Sequence, residues 1–292
     1  MNSRRALVSV VGLSVMCLMG GCLVLEQVEE ILGGSISQTA APEVPREFRG
    51  VWVATVSRID WPPEAGTEEQ KKAMVDILDL AVEMNLNGVV FQVRPAADAL
   101  YESKLEPWSR YLTGSQGKAP EPYYDPLAFA VEQAHKRGLE LHAWFNPYRA
   151  GLSQNEEYAS NSIVKARPEL VRKHGSLKWM DPGEDDVKKQ SLDVMLDVVK
   201  RYDIDAVHMD DYFYPYGAGE GFDDDASWKK YKKSGGTLEK GDWRRKNVDD
   251  FIEKLSQEMR KIKPYVKLGI SPFGIWRPGY PEGISGMDQY NS

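Results

Sequence analysis

From Arg46 onward, short apolar runs alternate with longer stretches whose apolar residues recur every three to four positions. RGVWVATV (49–56), NGVVFQVRP (87–95), LELHAWFNPYR (139–149), residues 204–211 and VKLGISPFGIW (266–276) read as strands. EEQKKAMVDILDLAVEMN (68–85) sets Met74, Ile77, Leu78, Ala81 and Val82 at helical spacing. DPLAFAVEQAHKRG (125–138) opens at an Asp-Pro cap and stops at Gly138. DDVKKQSLDVMLDVVKRY (185–202) places Leu192, Met195, Leu196 and Val199 on one face. A long loop rich in Gly and Asp then leads to a last helix, WRRKNVDDFIEKLSQEMRKIK (243–263).

Strands that alternate with helices predict an α/β fold with a covered parallel sheet. No GxGxxG or Walker-type loop is present, which disfavours a nucleotide-binding doubly wound sheet. Arg94, Asn146, Asp210 and Ser271 gather at the carboxyl ends of the strands. That is where a (β/α)8 TIM-type barrel builds its active site. The expected fold is such a barrel, truncated after about five βα units and occupying residues 46–292, with an open five-stranded sheet as the alternative.

The residues before Arg46 carry a different signal. Arg4 and Arg5 precede the apolar run ALVSVVGLSVMCLMG (6–20), which is shorter than the roughly 20 residues of a membrane span. Gly20 and Gly21 stand just before Cys22, as in a lipoprotein signal. Residues 1–21 are expected to be a signal peptide, with Cys22 lipidated and residues 22–45 a tether. The only other cysteine, Cys17, lies inside the signal, so neither a disulfide framework nor a cysteine-rich metal site is expected. The expected location is exported and membrane-anchored, facing the periplasm or the cell exterior. A formal net charge of −7 argues against nucleic acid as a partner.

Strand alternation places Ala206, His208 and Asp210 on one face and Val207, Met209 and Asp211 on the other. Asp210 then stands at the barrel rim, and Asp211 turns with the loop that carries Tyr212 and Tyr214. His142, Trp144 and Asn146 share a face, a ring between two hydrogen-bonding groups that suits a sugar. Gln92 and Arg94 share another, where a buried Arg94 needs a carboxylate partner, either Asp210 or a substrate acid. Arg244, Arg245 and Asn247 open the last helix, where guanidinium and backbone N–H groups suit an anionic or polyhydroxyl ligand. His142, His208, Asp210 and Asp211 also form a conceivable ligand set for a metal-dependent hydrolase or deacetylase, although no HxH or HExxH pair is present. No cofactor is expected. A non-catalytic glycan-binding envelope lipoprotein is a further class.

RGVWVATV, VVFQVRPAADALY, HAWFNPYR, DAVHMDDYFYP, WRRKNV and GISPFGIWR, in that order, resemble the bacterial glycosyl hydrolase-like family ten. The resemblance implies a barrel related to amylase-like glycosidases. It also implies a glycan substrate, since family members include lipoproteins that cleave peptidoglycan strands stripped of their peptides. The amylase-like fourth strand reads Asp-Gly-x-Arg-x-Asp, which carries the nucleophile onto Asp210. His208 stands where that pattern has Arg. The fifth strand, LGISPFG, lacks the acid carboxylate, leaving as candidate acids Asp211, the nearest, or equally a residue of the expected missing C-terminal part. Glycosidases use two carboxyl groups across the scissile bond.

Overall fold

The five apolar runs each become a strand of one parallel sheet in sequential order. The computed structural model describes residues 47–216 and 221–272. The sheet strands are β1 (Gly50–Val53), β2 (Gly88–Arg94), β3 (Glu140–Phe145), β7 (Ala206–Met209) and β8 (Lys267–Ile270), paired in the order β1-β2-β3-β7-β8. Consecutive parallel neighbours joined through helices build an arc of a (β/α) barrel. Every residue of β2 is buried, as expected for a parallel strand covered on both faces. The signal peptide, the tether and Cys22, and residues 273–276 of the expected fifth strand, lie outside the described residues. Among the described residues, no helix is long and apolar enough to cross a membrane.

The main helices follow their end signals. They are α1 (Thr67–Glu83), α2 (Pro126–His135), α3 (Asp185–Arg201), α4 (Asp225–Lys233) and α5 (Lys240–Ile262). Asp125 caps α2 by accepting from Ala128 N at 3.0 Å, with Pro126 in the first turn. Gly138 then takes a φ of +71°, which favours glycine and ends the run. Asp185 and Asp186 open α3, and Lys200 and Arg201 close it, matching the helix dipole.

Several boundaries and seams differ from the sequence expectation. The seam of α1 is Met74, Leu78 and Ala81, while Val82 is exposed. The seam of α3 centres on Val187, Val194, Met195 and Val198, and Leu192 and Leu196 only flank it. The run 49–56 is a strand only over Gly50–Val53, and Val56–Arg58 form a 3₁₀ turn. Part of the expected Gly- and Asp-rich loop is α4, in which Trp228 and Tyr231 are too few to show a clear helical period. Between β3 and α3 an antiparallel sheet, β4 (Arg149–Gly151), β5 (Val171–His174) and β6 (Leu177–Met180), had no counterpart in the sequence expectation.

Candidate active site

Asp210 follows the last residue of β7, at the carboxyl end of the sheet, and is 4% exposed. Its Oδ2 accepts from Trp144 Nε1 at 2.9 Å and Asn146 Nδ2 at 2.7 Å. Its Oδ1 accepts from Asn146 Nδ2 at 2.9 Å and the Tyr212 backbone N–H at 3.1 Å. Trp144 ends up here because β3 and β7 run in register, with Trp144 opposite His208. Two residues further along each chain, Asn146 and Asp210 meet just beyond the paired strands.

A chain of side-chain bonds fixes which way the amides point. Thr55 N and Val56 N donate to Gln92 Oε1 at 2.9 and 2.8 Å. Gln92 must therefore turn its Nε2 outward, and it donates to Asn146 Oδ1 at 2.7 Å. Arg149 Nη2 donates to the same oxygen. With Oδ1 holding two donors, Asn146 offers only its Nδ2 to Asp210. Indole and backbone N–H groups donate and never accept. Among the described residues, every group that hydrogen-bonds Asp210 is thus a donor, which suits an ionised, accepting carboxylate.

Burial nevertheless pushes the Asp210 pKa up. The Tyr212 N–H, the Arg149 charge, Asn146 and Trp144 all pull it back, without cancelling the burial. A desolvated carboxylate held in the accepting state is a stronger base than one in water. The arrangement fits a nucleophile or general base, and it does not fit a proton donor.

The loop after β7 forms the adjacent rim. The Arg149 guanidinium lies over the Tyr212 ring, 5.4 Å from its centroid, and Tyr212 packs against Tyr216 with centroids 4.6 Å apart and planes tilted by 32°. Asp211 accepts from Tyr216 Oη at 2.5 Å, so it turns with the loop as expected. Trp179 Nε1 of β6 donates to the Phe213 carbonyl at 2.9 Å, and His174 of β5 holds the Tyr216 carbonyl at 2.8 Å. Ser271 sits at the end of β8, its N–H donating to the Met209 carbonyl at 3.0 Å.

Other candidate residues lie elsewhere. Arg94 is buried and bonds Glu106 at 2.5 and 2.7 Å, so its carboxylate partner is neither Asp210 nor a ligand. Gln92 supports Asn146 and is itself sealed from solvent. His142 lies about 13 Å back along β3 from Asn146, at the strand spacing of about 3.3 Å per residue. It stacks on Phe48 and bonds Glu140, away from the rim. His208 lies two residues before Asp210 on the strand, against both the Trp52 and Trp144 rings, and burial, then His142, lowers its pKa to about 4. It is therefore neutral near pH 7.

Helix α5 begins at Lys240, and Trp243 N already donates to the Glu239 carbonyl, so residues 243–247 offer no open helix terminus. Arg244 grips Asp224 at 2.6 and 2.9 Å, and Arg245 bonds Asp242 on the surface. Tyr214 is buried against Arg244 and Phe222, and its hydroxyl accepts from Asn247. Among the described residues, no three His, Cys, Asp or Glu side chains gather as a metal site. The sequence expectation passed over Arg149, although it ends the quoted HAWFNPYR run. It also passed over the backbone donors of Thr55 and Val56, which have no side-chain signature.

Parallel strands in sequential order, joined through helices and carrying a buried carboxylate at their carboxyl end, make up a partial (β/α) barrel. α-L-Fucosidase isoenzyme 2 from Paenibacillus thiaminolyticus shares this fold, with a TM-score of 0.51 at 11% identity, covering 77% of this chain and 32% of that one. The chain belongs to the glycosyl hydrolase-like 10 family, whose model matches residues 47–291. It is 44% identical over 248 residues to glycosyl hydrolase YngK of Bacillus subtilis, covering 83% of this chain and 48% of that protein. It is 38% identical over 263 residues to glycosyl hydrolase DigH of Escherichia coli K12, covering 84% of this chain and 59% of that protein. The chain thus spans about half the length of these curated relatives.

Proposed function

We propose that this protein is a glycoside hydrolase of a bacterial cell-wall glycan, with peptide-free peptidoglycan strands as substrate. Asp210 acts as nucleophile or base. The observation that carries this reading is the all-donor surround of Asp210, held by Trp144, Asn146 and the Tyr212 N–H at the carboxyl end of the sheet. Family membership supports the reaction class. Asp211, next in the chain and held by the Tyr216 hydroxyl, is the first carboxyl to test as acid. The expected setting is the envelope face of a membrane, reached through a lipid on Cys22.

The test is product analysis on peptide-free wall glycan. The unaltered protein should release new reducing ends, and Asp210→Asn should lower that rate at least a hundredfold, on the order of losing one essential catalytic group. Full activity in Asp210→Asn would remove the assignment. Binding of the glycan with no new reducing ends would make the protein a glycan-binding lipoprotein instead.

A further inference from the structure

Three arginines are buried among the described residues: Arg94, Arg149 and Arg244, at 0%, 7% and 5% exposure. Two of them close on a carboxylate, Arg94 on Glu106 and Arg244 on Asp224. Arg149 closes on none. Its Nε donates to the Pro95 carbonyl at 2.8 Å, its Nη2 to the neutral Asn146 Oδ1, and its plane lies over Tyr212. A buried guanidinium without a counter-ion is unfavourable unless something else supplies the charge.

Asp210, and more weakly Asp98, act on Arg149 through their charge without bonding it; Asn146 bonds both Arg149 and Asp210, and the oxygens of Asp210 already accept from Trp144, Asn146 and Tyr212. Burial draws the Arg149 pKa down, and the Asp210 charge opposes this. Among the described residues, Nη1 of Arg149 has no hydrogen-bond acceptor. It is not among the sealed, unpaired side-chain atoms, which are Asp98 Oδ2, Tyr101 Oη, Tyr148 Oη and His208 Nε2. The Nη1 edge of the guanidinium is therefore not sealed, and it belongs to the side chain that bonds the Asn146 amide holding Asp210.

We infer that Arg149 recognises a sugar-borne carboxylate, its Nη1 edge donating to an acid group of the glycan while the sugar lies against Tyr212. The ligand class is an acidic glycan with uncapped carboxylates. The inference rests on the glycan-hydrolase reading for where substrate lies. It also deepens that reading, because a muramyl lactyl group carries a free carboxylate only when its peptide is gone. A peptide-bearing strand presents a neutral amide at the same place.

The test compares equilibrium binding of the full chain to soluble peptide-free wall glycan and to the same glycan with its carboxyls amidated. Release of reducing ends is scored separately. The acidic form should bind about tenfold tighter or more, the scale of one charge-assisted contact. Arg149→Gln should bind both forms alike, and Arg149→Lys should regain part of the preference. Equal binding of the two glycans by the unaltered chain overturns the inference without reference to any variant. So does a preference that survives in Arg149→Gln. A preference that depends on Arg149 without new reducing ends leaves the inference standing and removes the hydrolase assignment. Equal cleavage and equal binding of both forms does the reverse.

Discussion

Asn146→Ala is the sharpest probe of how the site works. It removes two of the four contacts that Asp210 accepts and cuts the connection from Arg149 and Gln92 to Asp210. A hydrogen bond to a charged group contributes about 1.5–3 kcal/mol. If that contribution persists in the transition state, kcat/KM falls about 10- to 150-fold. The sign of the pH effect follows from the partner. Asn146 favours ionised Asp210, so its loss raises the Asp210 pKa further. Activity that needs the carboxylate then fails at a higher pH, and the acid limb of kcat/KM moves upward. The assay is a pH–rate profile on peptide-free glycan, with circular dichroism to confirm folding. An acid limb that stays in place, with the loss confined to KM, would refute the claim that Asn146 tunes Asp210.

Trp144→Phe keeps an aromatic, smaller ring but removes a single donor to Asp210, and should lower kcat/KM roughly tenfold or more by loss of one charged hydrogen bond. Glu106→Gln leaves the buried Arg94 charge without its counter-ion and should cost about 3–5 kcal/mol of stability, read from the urea midpoint. His208 has a folded pKa of about 4 against an ordinary 6.5, so the unfolded chain takes the proton first. Stability is full above about pH 6.5 and falls toward pH 4, by up to about 3 kcal/mol. His208→Leu should flatten that part of the curve. Asp98 is raised from 3.8 to about 7 by burial, so its contribution runs the other way. Its stabilising effect is lost as pH rises from about 4 to about 7, and Asp98→Asn should gain stability at pH 8 relative to pH 4.

The sheet was legible because apolar periodicity tracks burial, and all five expected runs pair in sequence order. Asp210 was legible for the same reason: strand alternation and the strand end together fix where it points. The partners of the arginines were not legible. Glu106 lies 12 residues beyond Arg94, and Asp224 lies 20 before Arg244, distances set by loop geometry that no local period encodes. The role of Gln92 depends on two backbone N–H groups of the preceding unit, and backbone donors leave no trace in side-chain pattern. The 150–184 region was opaque because its strands are only three or four residues long and its charged residues interrupt any alternation.

That opaque region shapes how the rim is held. The β5–β6 hairpin leaves the barrel after β3 and returns to touch the loop after β7 through Trp179 and His174. The rim on that side is therefore a clasp, anchored on one strand and closed over the loop of the next. Its turn at Gly175 takes a φ of +56°, and its far end contributes nothing to the parallel sheet. Length and composition there are free to change without disturbing the pairing of β3 with β7. A clasp of this kind separates two tasks: the strand keeps Asp210 in place while the hairpin shapes the rim beside it.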